Sequence, residues 1–206
     1  MEHEKLKRSR PSISQEDLAL LATPMSELKK QTHVFSFDAD RFKSRILSDG
    51  ERWQHLLQAH LYFDHVITRM LEDALPNAGA VDLDRMAFSQ KLRFIAAMKL
   101  LSSELVSTVT HINDLRNKIA HNLEFEITDQ HELDLKNCTP KGLREIMETD
   151  KDHKPGPLRF NELLYVVLLQ IEVIRHSHAL ERLNMRKSTL RLRSVLDRTP
   201  GVVWNE

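Results

Sequence analysis

From Glu51 to Leu75 the apolar residues Trp53, Leu56, Leu57, Leu61, Ile67, Leu71 and Leu75 recur at helical spacing. That pattern predicts one apolar face on a long helix, and Pro76-Asn77-Ala78-Gly79 ends it. A second long helix is expected from Phe160 to about Asn184, burying Leu163, Leu164, Val167, Leu168, Ile171 and Ile174. Between them, Asp82 or Asp84 caps a helix through Met86, Leu92, Ile95, Ala96 and Leu100. After a turn near Ser102-Ser103, another runs through Leu105, Val109, Ile112, Leu115 and Ile119.

Shorter elements flank these. Ser14 with Asp17 resembles a capping box opening a helix through Leu18, Leu20, Leu21, Met25 and Leu28, with a break at Pro24. His33 to Asp40 reads as a connector, Asp40 as the cap of a helix through Phe42, Ile46 and Leu47, and Gly50 as its end. Glu124 to Thr128 alternates and reads as extended; Asp129 to Asn137 is polar and reads as a loop. Thr139-Pro140 opens a short helix through Leu143, Ile146 and Met147, and Asp150 to Pro157 is the clearest internal linker. Arg186 to Arg198 is basic and reads as a final helix. The expected architecture is all-α: an irregular up-and-down helical bundle with short flanking helices. Residues 1–12 form a mobile tail, 13–185 a single domain and 186–206 a basic extension.

Composition agrees with helices. Only 5 glycines and 6% aromatics are present, too few for the turns and strands of a sandwich or barrel. A chain of 206 residues can bury a core without disulfides or metal. The 30 basic and 30 acidic residues cancel, so net charge argues for neither nucleic acid nor membrane. A single cysteine, Cys138, excludes an intramolecular disulfide and the usual cysteine zinc frameworks. No apolar run approaches the roughly 20 residues that span a bilayer, and Met1 to Arg10 lacks a signal peptide's apolar stretch. The expected location is the cytoplasm, with no membrane partner.

Chemistry concentrates at Arg116-Asn117-Lys118-Ile119-Ala120-His121. On a wheel with Ile112 at zero, Leu105, Val109, Leu115, Ile119 and Leu123 fall within roughly 60°. Arg116 lies inside that sector at about 40°, whereas Asn117 and His121 lie near 140° and 180°. An arginine on an apolar stripe calls for a partner, since unpaired burial costs several kcal/mol. Asp64, four residues after His60 on the first long helix, is the candidate partner, with His60 nearby; alternatively both edge the stripe and reach solvent. On one straight helix Arg116 and His121 point apart, so joint action needs a distorted helix end or a second copy of the chain.

The hexapeptide resembles the Arg-polar-(x)3-His signature of HEPN domains. With Phe88-Ser89-Gln90-Lys91-Leu92-Arg93-Phe94 before it and Leu123-Glu124-Phe125-Glu126-Ile127-Thr128-Asp129 after it, the layout is similar to the mannitol operon repressor family, itself of HEPN-like form. The resemblance covers about Glu51 to Asp129 and, more loosely, the helix after Phe160. It implies a HEPN-like bundle and, for the catalytic members, a metal-independent endoribonuclease assembled at a homodimer interface. Arg116, Asn117 and His121 are the catalytic candidates, supported by Asp64 and His60. The residue types suit RNA cleavage: histidine can move a proton near neutral pH, and arginine can hold charge on the phosphorane. Asn117, four residues before His121, can orient the histidine or the phosphate.

Lys118, Arg186, Lys187 and Arg191 are candidate RNA-phosphate contacts, although a basic run is also a common solvated helix face. Eleven histidines invite a metal reading, but His55, His60 and His65 lie five apart, which does not align ligands on one helix face. No metal and no cofactor is expected. His111 falls on a different face from His121 and reads as solvated; Cys138 reads as an inert thiol. Two functions stand: a HEPN-type ribonuclease, such as a toxin or defence effector with an antitoxin partner, or a non-catalytic regulator acting through protein contacts. Direct DNA binding lacks a basic recognition helix.

Overall fold

The computed structural model describes residues 13–148 and 158–196. The tail expected over 1–12, the linker Asp150 to Pro157 and the end of the basic extension at 197–206 lie outside the described residues. Those described are all-α, without a strand. The helices are α1 (Gln15–Ala22), α2 (Met25–Thr32), α3 (Ala39–Ile46), α4 (Arg52–Ala74), α5 (Phe88–Ala97), α6 (Ser103–His121), α7 (Asp129–Cys138), α8 (Lys141–Glu148) and α9 (Phe160–Leu196). They fall into two compact units: His33–Ala179, and Met1–Thr32 with Leu180–Glu206.

The larger unit holds the main core. α4 packs against α3, α5 and α6, and α6 packs against α5 and α7. The buried face of α4 is Leu56, Ala59, Phe63, Val66, Ile67, Met70 and Leu71, meeting Val109, Ile112 and Leu115 of α6 and Leu163, Val167 and Ile171 of α9 in one cluster. This corrects the expected face. Trp53 is 46% and Leu61 72% exposed, because the 53–57–61 row and the row through Leu56, Phe63 and Met70 lie on different sides of a 3.6-residue helix. Arg52, at the start of α4, reaches the chain beyond α6: it donates to the Ile127 carbonyl at 3.2 Å and pairs with Asp129 and Glu132 at 2.7 and 2.9 Å. α4 and α6 therefore run antiparallel.

Several boundaries differ from the expected ones for local reasons. Asp38, not Asp40, caps α3 by accepting from the Arg41 amide at 2.9 Å. Leu83–Arg85 is a short 3-10 turn, and α5 starts only at Phe88, where Gln90 Oε1 accepts from the Ala87 amide at 3.1 Å. The segment from Asp129 is a helix, not a loop: His131 Nδ1 accepts from the Thr128 amide at 3.1 Å, replacing the usual Glu or Gln of a capping box. α5 ends through Lys99 at φ 54°, the left-handed conformation that glycine normally fills.

No glycine or proline interrupts Phe160 to Leu196, so α9 runs on past Asn184 instead of ending before a separate basic helix. By length and composition it could cross a membrane. Its apolar residues Leu163, Leu164, Val167, Leu168 and Ile171 are, however, buried in the core, which accounts for that apolarity. Residues 33–38 have no regular secondary structure and are pinned by side chains. Ser36 N–H donates to Glu172 at 2.6 Å, while the Ser36 carbonyl accepts from His65 at 2.8 Å. The Val34 carbonyl accepts from His176 at 2.9 Å and Arg175 at 3.1 Å.

In the smaller unit, α1, α2 and the end of α9 bury Leu28 and Leu190. Ser14 caps α1 by accepting from the Asp17 amide at 3.1 Å, Arg186 pairs with Asp17 at 2.6 Å, and Lys187 Nζ donates to the Thr23 carbonyl.

Candidate functional site

α6 carries the motif. Ser102 caps its start, and the apolar positions Leu105, Val109, Ile112 and Leu115 turn it into the core. The helix continues through His121, and the cap at Asn122 is extended. This phase leaves Arg116 and Asn117 half-buried and Lys118 and His121 exposed. Arg116 Nη1 donates to Asn117 Oδ1 at 3.3 Å. No carboxylate among the described residues lies within ion-pair reach of Arg116.

The expected Asp64–Arg116 pair does not form. Asp64 Oδ1 instead accepts from Lys91 Nζ of α5 at 2.7 Å, and Lys91 also donates to Thr68 Oγ1 at 2.8 Å. Lys91 is 1% exposed. A cation buried that deeply must be matched, and Asp64, one turn before Thr68 on α4, supplies the match. His60 takes a different role from the one expected: its Nε2 donates to Asn113 Oδ1 of α6 at 3.1 Å, and its ring lies 4.6 Å from that of Phe88. Burial holds its pKa below the ordinary histidine value, and the Arg116 charge pushes the same way against the Asn113 bond. Asp64 and His60 thus brace α4 against α5 and α6.

On its outer side α6 borders an open depression of ≈ 480 Å³ lined by His111, Asp114, Leu115, Asn117, Lys118 and His121. Asn117 and His121 share it, as their wheel positions imply. His111 shares it too, which corrects its placement on a separate, solvated face. Its Nε2 is buried without a hydrogen-bond partner, and burial lowers its pKa against the pull of Asp134 and Asp114. The periodicity alone pointed to this: residues 111, 114, 118 and 121 advance by alternating steps of three and four, the spacing of one helix face.

α7 packs beside α6. Thr108 Oγ1 of α6 donates to the Cys138 carbonyl at 2.6 Å, and Lys118 Nζ sits 5.8 Å from the centre of the Phe125 ring, which in turn lies 5.1 Å from His131. Burial raises the Cys138 thiol pKa, the opposite of what a nucleophile needs.

The distal basic candidates are placed differently from what an RNA contact requires. Lys187 is 4% exposed and Arg186 is engaged by Asp17; both are spent within the smaller unit, because they face α1 and the turn at Thr23. Arg191 is exposed. Among the described residues no group of three or more His, Cys, Asp or Glu side chains is placed to hold a metal ion. No protein-family model, curated protein or solved structure matches this chain.

Proposed function

We propose that this chain is a metal-independent endoribonuclease of HEPN type that works as a homodimer in the cytoplasm. The observation that carries the reading is the state of Arg116. It is half-buried, lacks a carboxylate partner among the described residues, and is steadied by the side chain of Asn117, which shares an open depression with His121. An arginine serving only the fold would be matched as Lys91 is matched. An unmatched guanidinium has its donors available for a phosphate oxygen.

In the proposed reaction His121 takes the proton from a ribose 2′-OH as the 2′ oxygen attacks phosphorus. The P–O5′ bond breaks and the leaving 5′ oxygen takes a proton from solvent, giving a 2′,3′-cyclic phosphate and a 5′-OH. Arg116 stabilises the charge that builds on the phosphorane oxygens. Arg116 and His121 lie about 140° apart around α6, so a second copy supplies the complementary half of each site.

The test is RNA cleavage in excess chelator by the wild type, Arg116→Ala and His121→Ala. The expected result is chelator-resistant cleavage that falls at least about a hundredfold in each variant. Equal residual cleavage in all three proteins overturns the reading. A second reading, a non-catalytic regulator acting through protein contacts, is favoured by one observation: Trp53 and Leu61 form an exposed apolar row on α4. It predicts no chelator-resistant cleavage and full regulatory activity in His121→Ala.

A further inference from the structure

The depression on α6 changes chemistry along its length. Asn117, Lys118 and His121 lie at one end and His111 and Asp114 at the other. Asp114 and His121 are separated by about 10 Å of helix axis. The His121 end donates. Lys118 is a cation, and the Asn117 amide is oriented by Arg116: a guanidinium has donors only, so it takes Oδ1 and leaves Nδ2 to donate outward. The Asp114 end accepts. Asp114 is exposed, and its carboxylate has no hydrogen bond or ion pair among the described residues. Lys118, one turn further on, stands over the Phe125 ring instead.

A free carboxylate repels phosphate. A single strand whose scissile phosphate sits at the donor end must therefore present a base, not another phosphate, to Asp114. A base meets a carboxylate through its N–H groups, and guanine alone among the four offers two side by side on one edge, N1–H and the N2 amino group, both bonded to C2. Cytosine and adenine offer one exocyclic amino nitrogen and uracil one ring N–H. The His111 ring, one turn before Asp114 and lining the same end, adds an aromatic face of the kind on which unstacked bases rest.

We infer that Asp114 selects guanine in single-stranded RNA, seated one or two nucleotides from the phosphate cut at His121. This assignment rests on the ribonuclease reading and adds its base preference. Neither arm of it needs a metal or a change of fold.

The test uses the full chain and short, unstructured, uridine-rich RNAs carrying a single guanosine, inosine or adenosine. Inosine keeps N1–H and lacks the N2 amino group. Wild type should cut beside guanosine at least about tenfold faster than beside inosine or adenosine. In Asp114→Asn that ratio should fall to about one, with cleavage still dependent on His121. Cleavage that depends on His121 but ignores the base, or a guanosine preference that survives Asp114→Asn, overturns the assignment and leaves the ribonuclease reading intact. If the wild type cuts none of the RNAs, their binding at low salt decides. Guanosine-dependent binding lost in Asp114→Asn upholds the subsite and overturns the ribonuclease reading alone, whereas base-indifferent or absent binding overturns the subsite as well.

Discussion

Lys91 and Arg116 are cations on neighbouring helices, α5 and α6, and the fold treats them in opposite ways. Lys91 is enclosed and matched on two sides by Asp64 and Thr68. Arg116 is half-buried and, among the described residues, bonds only to a neutral amide one residue away. The first arrangement is what a charge costs when it is taken out of water and must be held there. The second keeps most of the guanidinium donors uncommitted. Side by side they separate an enclosed, matched cation from one whose donors stay largely open.

The sharpest way to break this comparison is to truncate each cation and measure both stability and cleavage. Arg116→Ala should lose at least about a hundredfold in RNA cleavage while changing unfolding free energy by less than about 1 kcal/mol. Lys91→Ala should do the reverse, destabilising by about 2–3 kcal/mol in denaturant titrations through lost packing and hydrogen bonds. If Arg116→Ala is the more destabilising of the two, the distinction is wrong.

The comparison was only half visible in the sequence. The core-facing positions of α6 were legible because Leu105, Val109, Ile112 and Leu115 hold a clean helical period, and the same wheel put Asn117 and His121 together. The wheel also turns Arg116 inward, where Asp64 is the acidic partner the sequence suggests. The true partner of Asp64 was hidden because a lysine on an apolar face looks like a surface residue until tertiary packing closes over it. α4 misled for a related reason: Trp53, Leu57 and Leu61 make a second apolar row at helical spacing, and only the packed neighbours decide which row is covered. α7 escaped notice because its cap uses His131 where Glu or Gln is the usual signal.

Acid sharpens the contrast between inner and outer histidines. Burial holds His60, His111 and His176 below the ordinary histidine pKa. The unfolded chain therefore binds more protons than the fold once the pH drops below about 6.5. Stability should be full above that value and decline as the pH falls through the lowered folded values. Denaturant midpoints at pH 7.5 and 5.5 check this, and His60→Gln should flatten part of the slope. A midpoint that is unchanged or higher at pH 5.5 contradicts it. The smallest effect belongs to Lys99, whose positive φ suits glycine: Lys99→Gly should raise stability by up to about 1 kcal/mol in the same titrations.

The pinned segment over residues 33–38 has a consequence for how the chain folds. Its bonds reach across 136 residues from Ser36 to Glu172 and 142 from Val34 to His176. Contacts this distant in sequence are slow to find each other. During synthesis, α3 and α4 emerge early and with them the His65 bond to Ser36, but the bonds to Glu172, Arg175 and His176 wait until α9 has been made. Within the larger unit, the N-terminal edge is thus translated before the rest and is among the last parts to lock fully.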